Sequence, residues 1–120
     1  MVSITNSEIK AYKKIIRDGV MALCAKKDPG KSESTYKMYT SDSNYLINND
    51  ALDEYIRFVN SEEDMPEIKE LIKKKLIEKR GIEKVTDGGA YYYEKLCWHR
   101  EYVRSAGGFD ELLELARKQC

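Results

Sequence analysis

Apolar positions recur at steps of three and four along much of the chain, and the rhythm breaks at glycine, proline and short acidic runs. Ile9, Tyr12, Ile16, Val20 and Leu23 mark one helical face, widened by Ile15 and Ala22, while Lys10, Lys13, Lys14 and Arg17 mark the other. Thr5 and Glu8 have capping-box spacing, in which hydroxyl and carboxylate satisfy each other's exposed backbone amides, so the helix starts there. Asp28-Pro29-Gly30 stops it, because proline donates no amide and disfavours helical geometry in the residue before it. Gly19 weakens the middle by up to ~1 kcal/mol relative to alanine, a cost that suits a close helix crossing.

The period then changes. Tyr36-Lys37-Met38-Tyr39-Thr40 and Asn44-Tyr45-Leu46-Ile47-Asn48 are β-prone runs joined by Ser41-Asp42-Ser43, a composition that favours a turn. This predicts a short hairpin lying against the helices, since an isolated hairpin is marginal in water.

Helical spacing returns at Leu52, Tyr55, Ile56 and Val59, with Asn48 or Asn49 as cap and Asp53 and Glu54 near the positive helix start. Ser61-Glu62-Glu63-Asp64 reads as a solvated acidic connector. Pro66 suits the first turn of the next helix, where Met65, Ile68, Leu71, Ile72 and Leu76 face inward and Gly81 closes the run. Beyond Gly81 two outcomes compete. Residues 82–93 form a second hairpin turning at Asp87-Gly88-Gly89, or a helix starts near Ala90. The helix is favoured, because Tyr92, Leu96, His99 and Val103 keep its period, with a second stripe at Tyr91, Trp98 and Tyr102. Gly107-Gly108 ends it, and Phe109, Leu112, Leu113, Leu115 and Ala116 make a last short helix. The expected fold class is α+β, predominantly helical, with about five helices and one small β-hairpin, plus the second candidate hairpin at 82–93.

Composition bounds this picture. The 120 residues fit one globular domain, 1–120, and 42% apolar with 35% charged residues is a folding composition. No apolar run approaches the roughly 18 residues of a membrane span, and the start leads into Glu8 and Lys10 where a signal peptide would be apolar, so a cytoplasmic location and no membrane partner are expected. Cys24, Cys97 and Cys120 are too few and too widely spaced for a disulfide framework or a zinc site. Net charge is zero but unevenly laid out: residues 1–27 carry 6 basic and 2 acidic groups, and residues 28–64 carry 3 and 9. Such a layout gives either a two-sided surface or segments that neutralise each other across the fold.

Chemistry is harder to find. Gly30-Lys31-Ser32 resembles the tail of a phosphate-binding loop, but Ala25 stands where its first glycine belongs and a helix precedes it instead of a strand. His99 and Cys97 are two residues apart, which points them to different faces of a helix, and His99 is the one histidine in the chain. No catalytic, cofactor or metal set emerges, so a non-enzyme without cofactor is expected. On the helix after Pro66, Lys69, Lys73 and Arg80 share an edge, and with a hairpin at 82–93 this is similar in outline to a winged helix. These three are the nucleic-acid candidates. Tyr91, Trp98 and Tyr102 add more aromatic face than one core contact requires, and are the protein-partner candidates. The expectation is therefore a small protein-interaction module with a protein partner, an inhibitor or adaptor whose acidic middle imitates nucleic-acid phosphates on a nucleic-acid enzyme. In that respect it resembles, in kind, anti-restriction and anti-CRISPR proteins. The alternative is a winged-helix-like DNA-binding regulator.

Overall fold

In the computed structural model, residues 4–37, 46–47, 51–80 and 88–120 are described. They form α1 (Asn6–Lys27), a short α2 (33–37), α3 (Leu52–Val59), α4 (Pro66–Arg80), α5 (Gly88–Ser105) and α6 (Phe109–Lys118). No strand occurs among the described residues. α5 packs against α1, α3, α4 and α6, and α1 also packs along α6, so α5 is the central member of the bundle. No helix among the described residues is long and apolar enough to cross a membrane.

The α1 start is as its spacing dictates. The Glu8 amide donates to Thr5 Oγ1 at 3.2 Å and the Thr5 amide donates to Glu8 Oε1 at 2.9 Å, closing the capping box. Ile9, Tyr12, Ile16, Val20 and Cys24 are buried. From Tyr12 a four-residue step carries the stripe onto Cys24, and Leu23, expected on it, is only half-buried. At the far end of the chain, Gly107 and Gly108 adopt φ of 102° and 112°, a region costly to any residue with a Cβ, and this reverses the chain from α5 into α6. Phe109 then enters the core against Tyr12, with ring centroids 5.0 Å apart. Leu115, expected inside, is 47% exposed, and Ala116 is buried in its stead.

The α+β expectation is overturned. Tyr36 and Lys37, the start of the first expected hairpin strand, belong to α2. Ser32 accounts for this: its Oγ accepts from the Thr35 amide at 3.4 Å and its carbonyl accepts from Tyr36, so it caps a helical turn that β propensity alone does not foresee. Leu46 and Ile47 are both fully buried, whereas a half-buried strand would alternate inside and outside. The remaining hairpin residues, 38–45 and 48, lie outside the described residues. The second candidate hairpin fails at its return strand, because α5 begins at Gly88 and residues 88–93 are helical; residues 82–87 lie outside the described residues. Tyr93, Leu96 and Val103 are buried at helical spacing against the neighbouring helices, and that packing outweighs the strand preference of consecutive tyrosines.

The next two helices need smaller corrections. In α3, Leu52, Tyr55 and Val59 are buried as expected, whereas Ile56, expected beside them, is half-buried and Phe58 is fully buried. The asparagine cap expected at Asn48 or Asn49 lies outside the described residues, and Ala51 occupies the cap position without a side-chain hydrogen bond. Met65, just before α4, and Ile68 and Ile72 within it face inward as expected, Leu71 is half-buried, and the Leu76 side chain and Gly81 lie outside the described residues.

Candidate functional site

Three surfaces were expected to matter: the aromatic stripe of α5, the basic edge of α4 and the acidic connector. α5 organises the first and last. Trp98 is half-buried, and the Lys95 ammonium stands 3.7 Å from the centroid of its ring. Lys95 is itself only 3% exposed, so its aliphatic stem runs through packed surroundings and its charge meets an aromatic face. Tyr102, one turn on, is also half-buried and is largely spent on the fold. A Cβ built on Gly19 would stand 2.2 Å from Tyr102 Cζ, so the ring lies directly on the α1 backbone where Gly19 leaves room. The close crossing expected at Gly19 is this contact. Tyr91 is on α5, and its side chain lies outside the described residues.

Other α5 side chains read the acidic connector. Arg100 Nη1 donates to the carbonyls of Glu63 at 3.0 Å and Ser61 at 3.4 Å, and its guanidinium carbon lies 4.6 Å from the Phe58 ring centroid. The Met65 amide donates to the Tyr93 hydroxyl at 3.1 Å, and Arg104 pairs with the Glu62 carboxylate. The connector is therefore clamped to α5, with Glu63 and Asp64 exposed. Sequence reasoning found neither Arg100 nor Tyr93 as anchors, because their partners on the connector lie 28 to 39 residues away in the chain.

The α4 candidates are less prominent than expected. The Lys69 ammonium lies 4.9 Å from the Tyr93 ring centroid, and Lys73 is exposed. The Arg80 side chain lies outside the described residues. The winged-helix outline loses its wing, since residues 88–93 are helical.

A second run of positive charge lies on α1. Lys10, Lys13, Lys14 and Arg17 follow one edge at steps of three and four, where neighbours of like charge destabilise a helix by about 0.2–0.5 kcal/mol per pair. Among the described residues the one ion pair on this edge joins Arg17 to the adjacent Asp18 at 3.6 Å. Lys13 is half-buried, and that desolvation pulls its ammonium below the usual lysine range. Several cations elsewhere are matched: Lys27 with Glu101, Arg57 with Glu67, and Arg117 with both Glu8 and Glu114.

His99 lies in the core. It is 0% exposed, its Nδ1 stands 3.5 Å from the Tyr55 hydroxyl, and that hydroxyl stands 3.2 Å from the Tyr12 hydroxyl. Its Nε2 meets no hydrogen-bond partner among the described residues. Burial pushes the imidazole down to about 3 and both phenols up, so all three groups are neutral at pH 7. Cys97 is half-buried with its thiol raised by the same desolvation, which makes it a poor nucleophile. No group of three or more metal-ligating side chains occurs among the described residues. An apolar crevice between the start of α1, α3 and α6, lined by Ile4, Ile9, Tyr12, Leu52, Phe109 and Leu113, is too narrow to admit water.

Compared with protein-family models, curated proteins and solved structures, the chain matches none.

Proposed function

We propose that the protein is a small non-enzymatic interaction module that docks on a protein partner through the edge of α5 bearing Trp98, as an inhibitor or adaptor. Trp98 carries this proposal. Its neighbours Tyr93, Leu96, His99 and Val103 are buried in the bundle, whereas Trp98 keeps part of its ring at the surface. Tryptophan offers a large apolar area with few rotors, and Lys95 against one face of the ring restrains it further, so little side-chain freedom is lost on docking. Tyr102 extends the patch by one turn, although its contact with Gly19 leaves it a secondary role.

The inhibitor form of this proposal draws on the clamped connector. Arg100 and Tyr93 fix the backbone on either side of Glu63 and Asp64, so two carboxylates stand outward at a fixed position beside α5. Carboxylates held in this way are suited to a basic channel that normally takes phosphates.

Affinity capture from lysate with wild type and Trp98→Ala tests the docking, with circular dichroism confirming equal helicity. Wild type is expected to retain a partner that Trp98→Ala loses at least tenfold, with Tyr102→Ala showing a smaller loss. Identical capture by wild type and Trp98→Ala, or no partner above background, overturns the proposal. A Glu63→Gln, Asp64→Asn double variant then separates the two forms: the inhibitor form requires that it lose inhibition while capture persists.

A further inference from the structure

We propose that the Lys10–Arg17 edge of α1 is a docking surface for the phosphate backbone of duplex DNA. The edge places Lys10, Lys13, Lys14 and Arg17 on neighbouring turns with one acidic partner, Asp18, among the described residues. Several cations on the other helices are already engaged: Arg104 and Arg117 pair with carboxylates, Arg100 holds carbonyls, and Lys95 and Lys69 lie over aromatic rings, while Lys73 and Lys74 stand exposed on α4, a helix that also carries Glu67, Glu70 and Glu78. Lys13 points the same way, since it is partly desolvated and has no counter-charge among the described residues. An anion arriving from outside relieves all of these strains together.

The composition of the edge selects the kind of anion. Protein interfaces are built on aromatic or apolar anchors and are depleted in lysine. This edge is lysine-rich and has no aromatic side chain of its own at the surface, because Tyr12 is buried. Exposed aromatics would also be needed to stack the bases of a single strand. Between Lys10 and Arg17 there is no serine, threonine, asparagine or glutamine to bond a ribose hydroxyl, so RNA gains nothing over DNA. What remains is contact with phosphates alone, which positions a helix without reading sequence. Seven residues of helix span about 10 Å, over which a DNA duplex presents about six phosphate charges. Contact of this size is weak and strongly salt-dependent.

Fluorescence anisotropy of a labelled 24-base-pair random duplex, titrated with the full chain from 20 to 200 mM salt, tests this. Neutralising four phosphates gives a log–log slope of about −3 to −4, and affinity is expected to fall roughly 100-fold between 50 and 200 mM salt. Replacing Lys10, Lys13, Lys14 and Arg17 together by Gln is expected to abolish binding, whereas replacing Lys10, Lys13 and Lys14 by Arg preserves it. Lys69→Gln with Lys73→Gln, and Trp98→Ala, are expected to bind as wild type does. The last of these keeps the DNA contact distinct from the protein contact of Trp98, so either can fail without the other. Absence of binding by wild type at 20 mM salt overturns the proposal. So does unchanged binding by the four-Gln variant, loss of binding in the α4 variant, or tighter binding to single-stranded DNA, to duplex RNA or to poly-glutamate.

Discussion

The cations of α5 and those of α1 are the same residue types put to opposite uses. On α5, Lys95 is buried against Trp98, Arg100 holds two carbonyls and covers Phe58, and Arg104 takes Glu62. On α1, Lys10, Lys13 and Lys14 have no ion-pair partner among the described residues and are set at spacings where they repel one another. A lysine or arginine on a helix is therefore no signal by itself. Its meaning depends on whether an acceptor lies within reach in the folded chain. The variants that follow strain that contrast, beginning with the deepest group on α5.

His99 shows how completely α5 is committed inward. Burial holds its imidazole down at about 3, against about 6.5 in the unfolded chain, and no carboxylate among the described residues favours the cation. As pH falls below about 6.5 the unfolded chain takes up a proton that the folded chain refuses, so the contribution of the neutral ring is fully present above that pH and is lost as pH falls toward 3. By pH 5 the loss is about 2 kcal/mol. Urea melts at pH 7.5 and 5.0 should show wild type losing about that much more than His99→Leu, and parallel losses would mean that His99 is not the buried neutral group described.

Arg100 comes next. Arg100→Ala removes two charge-assisted hydrogen bonds to connector carbonyls and the cover on Phe58, and should cost about 2 kcal/mol in a denaturant melt. Arg104→Ala removes a pair whose two side chains are largely exposed, and should cost under about 0.5 kcal/mol. Equal costs for the two would show that the connector is held by its carboxylates and not by its backbone.

These assignments also mark where sequence is informative. The capping box at Thr5 and Glu8, the stop at Asp28, Pro66 in its first turn and the Gly107-Gly108 reversal are local devices whose partners lie within a few residues, and each was legible. Hairpin residues 36 and 46–47 were misread because β propensity at Tyr36, Leu46 and Ile47 was weighed without the tertiary contacts that bury all three. Ser32 was noticed only as part of an imperfect phosphate loop, although its plainer use, capping the helix that starts at 33, needs no ligand. At the candidate site, Trp98 and Tyr102 were found from their spacing. That Tyr102 lies on Gly19 and that Arg100 reaches Glu63 are contacts between residues 83 and 37 apart in the chain, which no local pattern encodes.

The crossing of α1 and α5 allows a sharper test, in which the sign of an effect reverses. Gly19→Ala should gain about 1 kcal/mol of helix preference but must displace the Tyr102 ring, so in the wild-type background the gain is cancelled or reversed. In the Tyr102→Ala background the obstacle is gone, and the same substitution should stabilise by about 1 kcal/mol. A double-mutant cycle read by thermal melts measures the coupling directly. Zero coupling would return Tyr102 to the surface and make it as strong a partner-binding candidate as Trp98.

The smallest effect is the most discriminating for α1. Lys10→Glu replaces repulsion of Lys13 and Lys14 by pairs of the favourable orientation, acidic residue first, and should raise stability by about 0.5 kcal/mol at low salt. At 1 M salt most of the gain should vanish, because Lys10 and Lys14 are exposed and the screening length shrinks to about 3 Å. On the DNA proposal, the same variant binds duplex more weakly than wild type while folding more stably. A residue that costs the fold and serves a contact moves these two readouts in opposite directions; a merely solvating lysine would raise stability and leave duplex affinity where it was.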